Sequence, residues 1–549
     1  MLNPIAVFNL KKSINRIDWK LLLFLLLFLD VKTGIKIAAI VIIYLLRFDF
    51  KFGFSFKNSR LPLFYPLIML IPLISLVINK GYTNPDYLLV FITGMGFWLL
   101  CLLAIHQVKL AVENSETETI HRTILVFFVL NAIVCFFNFA AIVWETGALN
   151  PYRYQGEYQK YFIGTGDYIK GITFDTSTTN AALNALGVLY FLIRRNNPMV
   201  LVCMVVLLFT CSNFLNMSLI LLFSLLFIFR TTRDQKSIIV VCLVLMVVFI
   251  GRISPQNDKY VVKTIDEAIK IPVGGDSKTV AAVTCTNVPT LEETRKRIAQ
   301  NYLDSIWRSH RKKQALVKPT TITALPKTEQ GRIFIDTADI NSLPYQSIVD
   351  TTPVQHVLLN FIDAHAASLP LSAQKTFKPG RPGKVITFFQ TAAFFQQHPA
   401  KIVAGAGMGN FSSKLAFRAT GFGFAGGYPQ NHAYINTDFL TNHLDVYLNF
   451  FGRRASLHSL TNSPNSVYDQ LLSEYGLLGL LAFAIFYVWF FARHAKAFTY
   501  GLPALLLLLL IFFTDYWFEQ LSVIVFFELL LFLNIKEADN KTLTSYGHQ

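Results

Sequence analysis

Long apolar segments recur along this chain and leave it few ways to fold. Hydrocarbon offers the backbone no hydrogen-bond partner, so only helices and closed barrels cross a bilayer, and a spanning helix needs about 17–25 apolar residues. We therefore predict an all-α polytopic membrane protein with about twelve transmembrane helices. The predicted segments are 19–31, 34–46, 61–79, 87–105, 122–144, 178–193, 198–212, 214–229, 237–254, 476–492, 501–514 and 519–535. The first two are short and could form one broken span.

The composition agrees with a membrane location. Apolar residues make up 53% of the 549 residues, and Phe alone occurs 50 times, which is too apolar for an ordinary soluble protein. The apolar run after Trp19 has no small-residue cleavage site and leads into further apolar segments, so we expect no cleavable signal peptide.

The distribution of Lys and Arg predicts the orientation, because these residues are retained on the cytoplasmic side. With the N-terminus inside, the segments 79–86, 145–177 and 255–475 face outward, and both termini are cytoplasmic. The cations that then lie inside are Lys11, Lys12, Arg16, Arg47, Lys51, Lys57, Arg60, Arg194, Arg195, Arg230, Arg233, Lys236, Arg493 and Lys496. The formal net charge of +16 favours anionic partners, although the cytoplasmic cations account for part of it.

These patterns predict four parts. Residues 1–254 form an N-terminal bundle of about nine helices, and 476–535 form about three more. Residues 255–475 are numerous enough for a periplasmic domain, and 536–549 form a cytoplasmic tail. Within the domain, 290–313 has the pattern of a basic amphipathic helix, which either lies on the outer leaflet or packs on the domain's own core.

Several kinds of site are disfavoured by the sequence. Residues 273–279 lack the glycine spacing of a phosphate loop, and 405–410 lack that of a dinucleotide loop. The loop contains one cysteine, Cys285, so a disulfide or zinc framework is not expected there. We predict no metal and no cofactor, and no nucleic acid among the partners.

The junction between the predicted loop and the tenth apolar segment carries the most informative motif. It runs Asn465-Ser466-Val467-Tyr468-Asp469-Gln470-Leu471-Leu472-Ser473-Glu474-Tyr475-Gly476-Leu477-Leu478-Gly479-Leu480. It resembles the "HN-x-x-L-x-x-x-x-E-x-G-L-L-G" pattern that ends the large periplasmic loop in the O-antigen polymerase and ligase superfamily. Three further stretches are similar to motifs of that superfamily: residues 170–181, 210–213 and 383–411.

The resemblance implies a GT-C-like bundle in the bacterial inner membrane, with a large periplasmic domain. It implies a glycosyltransferase that takes its glycan from undecaprenyl pyrophosphate and works beside membrane lipid and envelope polysaccharide assembly proteins. Because the outer loop is long, we favour a polymerase, whose acceptor is another lipid-linked glycan. An O-antigen ligase or protein O-oligosaccharyltransferase is the alternative within the family. A transporter of lipid-linked sugars or a structural membrane protein is the alternative from another class.

The resemblance also implies the site residues. The family's loop His falls at Asn465, so His432 or His458 would have to replace it as the base, with Glu474 as the catalytic carboxylate, unless that residue only joins the loop to the bundle. Pyrophosphate is expected to be held by cations rather than by a metal. The predicted substrate-binding residues are Arg153, Lys170, Arg252, Lys384, Arg418, Arg453, Arg454, Asn465 and Tyr468. For Arg252, reaching the lipid headgroups is the other interpretation.

Overall fold

The computed structural model describes residues 17–56, 58–153, 168–254, 383–421, 427–443, 446 and 463–546. Within these ranges the regular elements are helices, and no strand occurs. Most of the predicted periplasmic segment, including the predicted helix at 290–313, lies outside the described residues. The all-helical class predicted from the sequence is confirmed for the described part of the chain.

The helices follow the predicted apolar segments closely. They are α1 Trp19–Phe28, α2 Thr33–Leu46, α3 Phe64–Ile78, α4 Pro85–Asn114, α5 Thr117–Thr146, α6 Ser177–Ile193, α7 Asn197–Phe209, α8 Asn213–Phe229 and α9 Arg233–Ile253, followed by α10 Gly383–Gln397, α11 Lys401–Ala404, α12 Lys414–Ala419, α13 Thr437–Asn442, α14 Val467–Ala492, α15 Gly501–Ile511, α16 Trp517–Gln520 and α17 Ser522–Tyr546. Four of them, α4, α5, α9 and α14, are long and apolar enough to cross a membrane. The other apolar helices are shorter than a full span or, in α17, end in a polar stretch.

Local sequence accounts for where several helices begin. Asn84 accepts hydrogen bonds from the backbone N–H groups of Asp86 and Tyr87, and Pro85 occupies the first turn of α4, where no N–H is needed. Thr176 caps α6 by accepting from the N–H of Thr179. Side-chain oxygens therefore satisfy amides that the helix itself leaves unpaired.

The last helix, α17, lies at the centre of the bundle. Its residues Val523, Ile524, Val525, Phe526 and Phe527 are all 0% exposed, as expected of a helix that is apolar on every side. It packs against α4, α5, α6, α15 and α16. The core of the bundle is thus built around the C-terminal segment of the chain.

The ends of the helices form two sets, which we call the first face and the second face. Ion pairs and hydrogen bonds join the ends on the first face: Arg47 to Asp18 (2.6 Å), Ser115 to Asp18 (2.7 Å), His121 to Glu537 (2.6 Å) and Gln235 Nε2 to the Leu192 carbonyl (3.0 Å). A separate set defines the second face: the Val31 N–H to the Thr173 carbonyl (2.9 Å), Lys36 to Ser522 (2.6 Å) and the Val467 N–H to the Phe512 carbonyl (2.9 Å).

The described part of the predicted loop lies on the second face. Helices α10 and α11 pack against α14, and α12 packs against α4. The N–H groups of Ala406 and Gly407 donate to the carbonyls of Ser473 (2.8 Å) and Glu474 (3.0 Å). This segment is therefore joined to the bundle through the backbone of α14.

The junction predicted at residue 476 lies within α14. The helix begins at Val467, and Gly476 interrupts its helical geometry with φ +67° and ψ −163°. A sharp change of direction in a helix has an identifiable local cause, and here that cause is a glycine in a backbone conformation that other residues rarely adopt. The polar stretch before Gly476 is thus a helical extension of the apolar segment rather than part of a loop.

Candidate functional site

Glu474, in α14, holds residues 405–411, which we call the glycine-rich loop. It is 1% exposed, and its Oε2 and Oε1 accept hydrogen bonds from the N–H groups of Gly409 (2.8 Å) and Phe411 (3.0 Å). A carboxylate that accepts two backbone N–H groups at these distances makes strong, charge-assisted bonds. Both oxygens of Glu474 are therefore engaged in holding the loop, which favours a positioning role over the predicted catalytic one.

Lys384, Asn465 and Asp515 meet where the loop enters α14. The Lys384 ammonium donates to the Asn465 carbonyl, and the Asn465 side-chain amide donates to Asp515 Oδ1 (3.2 Å). Burial lowers the pKa of the Lys384 ammonium to about 7, although the charges of Asp515 and Asp469 oppose that shift. Two of the predicted substrate-binding residues, Lys384 and Asn465, are thus brought together beside a carboxylate.

Asp469 and Ser473 are buried on one side of α14, four residues apart. Asp469 Oδ1 accepts from the Thr391 hydroxyl (2.8 Å), whereas Asp469 Oδ2 and Ser473 Oγ have no hydrogen-bond partner among the described residues. The predicted substrate-binding residue Tyr468 turns away, and its hydroxyl donates to the Leu509 carbonyl (2.8 Å). Two buried side-chain oxygens near the start of α14 therefore have no hydrogen-bond partner among the described residues.

Glu519, in the short helix α16, accepts hydrogen bonds from two separate parts of the chain. Its Oε2 accepts from the N–H of Leu415, at the start of α12 (2.9 Å), and its Oε1 accepts from the Gln470 side chain (2.5 Å). The cations Lys414 and Arg418 attract Glu519 electrostatically. Arg418, predicted from the sequence, is partly exposed and belongs to this group.

Lys36, in α2, adds a cation to the polar residues described above. It is 3% exposed, and its ammonium donates to the Phe28 carbonyl (2.7 Å) and to the Ser522 hydroxyl (2.6 Å). Asp175 attracts it electrostatically and accepts from Gln520 Nε2 (3.1 Å). Sequence reasoning did not single out Lys36. The available signal was a lone lysine within the predicted apolar segment 34–46, because ionisable residues in such segments are rare and often functional.

We call this continuous set the second-face polar tract. Its members are Lys36, Asp175, Lys384, Lys414, Arg418, Asn465, Asp469, Gln470, Glu474, Asp515, Glu519 and Gln520. Lys170 adjoins it in the segment that leads to Asp175, where it is partly exposed and lies over the Tyr168 ring, 5.8 Å from its centre. The tract holds four cations, and Lys170 adds a fifth beside it.

Arg153 and Arg252 lie at another part of the second face, beside α7. Asn150 donates to the carbonyl of Ile253 (3.0 Å), and the Tyr152 hydroxyl donates to the carbonyl of Phe209 (2.7 Å). Arg252 is exposed in the last turn of α9. The backbone of Arg153 ends a short 3-10 turn, and its side chain lies outside what the structure describes.

The histidine predictions have different outcomes. His432 lies exposed in the 3-10 turn Gln430–His432, whereas His458, Arg453 and Arg454 lie outside the described residues. A histidine that was not predicted, His443, is fully buried and stacks on the Phe411 ring with 4.9 Å between ring centres. Burial lowers the pKa of His443 to about 3, so this imidazole is neutral at physiological pH.

No group of three or more His, Cys, Asp or Glu side chains in the described ranges is arranged to hold a metal ion. The expectation of a metal-free reaction stays a prediction. The chemistry available on the second face is that of ammonium, guanidinium, carboxylate and amide groups. Such a set binds and orients anionic and hydroxyl-bearing ligands.

Comparison with protein-family models, with curated proteins and with solved structures finds no match for this chain. The family resemblance therefore rests on the motifs at residues 170–181, 210–213, 383–411 and 465–480.

Proposed function

We propose that the protein is a polytopic membrane glycosyltransferase that polymerises a surface polysaccharide. Its donor is a glycan linked to undecaprenyl pyrophosphate, and its acceptor is a hydroxyl group of a second lipid-linked glycan. In this account the second face lies on the periplasmic side and the first face in the cytoplasm. The twelve helices that match the predicted apolar segments form the transmembrane bundle.

The observation that carries this proposal is the position of the cations. Lys36, Lys414, Arg418 and Lys384 belong to one polar tract at the end of an apolar bundle, and Lys170 adjoins it. Charge is costly beside hydrocarbon unless it has a partner or a ligand. A lipid whose headgroup is a pyrophosphate carries negative charge that these cations can attract, which supports such a ligand although the tract also contains five carboxyl groups.

The reaction needs two contributions from the chain, cations for the departing group and a base for the attacking one. A hydroxyl oxygen of the acceptor attacks the anomeric carbon of the donor glycan, and the bond from that carbon to the pyrophosphate oxygen breaks. The departing pyrophosphate keeps the bonding electron pair, and its growing negative charge is stabilised by nearby cations. A carboxylate accepts the proton of the attacking hydroxyl group.

We assign the last role to Asp515. It is partly exposed, and both of its described hydrogen bonds, from Asn465 Nδ2 and from the N–H of Tyr516, use Oδ1. Glu474 is less suited, because each of its oxygens already accepts a backbone N–H. Lys384 lies near enough to Asp515 for the two charges to attract each other.

Orientation is the first test of the proposal. A reporter that is active only outside the cytoplasm, fused after Ser254, should give a signal, whereas fusions after Arg195 or Lys496 should not. The first-face helix ends carry Arg47, Arg194 and Arg230, which supports a cytoplasmic location for that face. A cytoplasmic result for the Ser254 fusion would overturn the proposed function.

A deletion strain distinguishes polymerase from ligase. Loss of a polymerase leaves single repeat units that still reach their final acceptor, so the long-chain ladder on a gel should collapse to one short step. Loss of a ligase would instead leave long chains on the polyprenyl carrier. An unchanged ladder together with an unchanged carrier pool would reject both and favour a transporter or a structural protein.

A further inference from the structure

Phe174 is exposed and held in an unusual backbone conformation. Its side chain is 58% exposed, whereas Thr173 and Asp175 on either side of it are 0% and 7% exposed. Its φ of +49° and ψ of +12° lie in the left-handed region, where a bulky residue without a compensating role is uncommon. The chain thus presents a large aromatic ring outward from an otherwise buried segment.

Three asparagines fix this segment, and two of them, Asn131 and Asn180, are buried. Asn131 Oδ1 accepts from the N–H of Ile172 (3.1 Å), and Asn138 Oδ1 accepts from the N–H of Gly171 (3.1 Å). Asn180 Nδ2 donates to the Ile169 carbonyl (2.8 Å). Three amide side chains from α5 and α6 therefore hold the backbone that leads to Phe174.

Gly171 shows how closely the asparagine side chains pack against this segment. A Cβ atom at this position would overlap Asn131 Oδ1 and would lie 2.8 Å from Asn180 Oδ1, and the residue has a φ of +61°. The Val31 N–H adds a bond to the Thr173 carbonyl (2.9 Å) from the turn between α1 and α2. Hydrogen bonds and close packing thus hold the backbone that precedes the exposed ring, which preorganises the ring for a ligand.

The residues that adjoin Phe174 along the chain are mainly polar, and the turn bonded to Thr173 also carries the exposed Val31. Lys170 is partly exposed four residues before Phe174, Thr176 is exposed two residues after it, and Lys32 is exposed on the adjoining turn. An aromatic ring among polar and cationic groups suits a ligand that has both an apolar and a polar surface. The face of a sugar ring that carries its C–H groups is such a surface, and the electron-rich face of an aromatic ring attracts it.

We propose that Phe174 is a stacking platform for the first sugar of the lipid-linked glycan, while Lys170 contacts the pyrophosphate to which that sugar is attached. This inference rests on the proposed function, because it names the part of the donor that this segment recognises. It assigns Phe174 to binding and specificity and gives it no part in bond formation.

The test compares two lipids on the full-length protein in nanodiscs. One probe is undecaprenyl pyrophosphate, and the other is undecaprenyl pyrophosphate carrying one N-acetylglucosamine. Wild-type protein should bind the sugar-bearing lipid about 3- to 10-fold more tightly, as expected for one stacking contact. Phe174→Leu keeps an apolar side chain of similar size without a ring, and it should bind the two lipids equally.

Three further variants separate stacking from folding and from phosphate binding. Phe174→Trp keeps an aromatic face and should keep the preference for the sugar-bearing lipid. Phe174→Gly relieves the left-handed backbone, so it should lose the preference without a fall in melting temperature. Lys170→Ala should weaken the binding of both lipids by a similar factor.

The outcomes that would contradict this inference also show which part of it is wrong. A wild-type preference that survives in Phe174→Leu would show that the ring is not the platform, and so would equal binding of the two lipids by wild-type protein. An equal loss of both lipids in Phe174→Leu would assign the ring to the prenyl chain instead. If wild-type protein binds neither lipid, the proposed function fails, and this inference fails with it.

Discussion

Gly405 and Gly476 lie so close together that neither position has room for a side chain. A Cβ atom on Gly476 would lie 2.5 Å from the backbone nitrogen of Gly405, and both residues have a positive φ, +67° and +74°. The glycine-rich loop thus contacts the backbone of α14 directly, at the point where that helix changes direction. This contact sets the position of Glu474 and the polar residues around it.

Replacing Gly476 by Ala should therefore disrupt the junction. The added methyl group meets backbone atoms, which cannot move aside as a side chain can, and the left-handed conformation adds a cost of about 1 kcal/mol or more. We expect a lower melting temperature in detergent and loss of activity. The matched control is Gly96→Ala in α4, where nothing lies within 4 Å of the added atom. If Gly476→Ala melts like the control, the close contact is not formed.

Glu474 and Asp515 should respond differently to the loss of their charge. Glu474→Gln places an amide donor against a backbone N–H of Gly409 or Phe411, which should lower stability by about 1–3 kcal/mol. Asp515→Asn keeps an oxygen for Asn465, so we expect normal stability with a loss of activity of about 100-fold or more. Melting temperature and turnover, measured on both variants, check the assignment. Full activity in Asp515→Asn would exclude it as the base.

Lys384 should give the reaction a pH dependence. Burial lowers its pKa to about 7, so the ammonium that can bind phosphate is lost as the pH rises through that value. Activity should therefore fall between pH 6 and 8, a window of about one unit on each side of that pKa. Lys384→Arg stays charged throughout and should lack this fall. Superimposable profiles of the two proteins would contradict the role given to Lys384.

The Lys384 ammonium also makes stability depend on pH, and stability rises with pH where activity falls. In the unfolded chain a lysine keeps its proton up to its ordinary pKa of 10.5, whereas the folded protein releases it near 7. Between these values the unfolded state binds more protons, so the contribution of Lys384 to stability rises with pH. Melting temperatures of wild type and Lys384→Arg across pH 6–10 should rise more steeply in wild type, by the part that Lys384 contributes over the window set by its two pKa values.

Lys36 and Asp175 are both buried and attract each other electrostatically, and a double-mutant cycle can test that coupling. Lys36→Met removes the cation while Asp175 stays hydrogen-bonded to Thr179 and Gln520, so we expect an interaction energy of about 0.5–3 kcal/mol. Adding Asp175→Asn should recover much of the lost stability. Lys32→Met, on the exposed turn that precedes α2, is the control and should change little. Purely additive losses for Lys36 and Asp175 would show that the two charges do not interact.

The sequence predicted the helices well because apolar runs leave the chain little choice. It placed the start of α14 too late, at 476 instead of Val467, because Asp469, Gln470 and Glu474 interrupt the apolar pattern. In the structure these polar residues face protein partners rather than lipid. An apolar pattern in the sequence does not show that such polar side chains will have hydrogen-bond partners inside the protein.

The site was predicted less completely. The motifs located Lys170, Lys384 and Glu474, but the sequence did not show that both oxygens of Glu474 are engaged by the glycine-rich loop. Nor did it single out Glu528, a buried carboxyl in α17 that accepts a hydrogen bond from the Tyr65 hydroxyl. Contacts between residues hundreds of positions apart depend on how the helices pack, and a single sequence does not specify that.

Reconstitution tests the central claim most directly. Wild-type protein in nanodiscs, given only undecaprenyl-pyrophosphate-linked repeat units, should produce longer carrier-linked glycans and release undecaprenyl pyrophosphate, and a chelator should leave the rate unchanged. Lys170→Ala should insert normally and produce almost no polymer, because a charged hydrogen bond to the departing group is worth about 1.5–3 kcal/mol or more. Wild-type protein that binds the repeat units without lengthening them, or a Lys170→Ala variant that polymerises at the wild-type rate, would contradict the account.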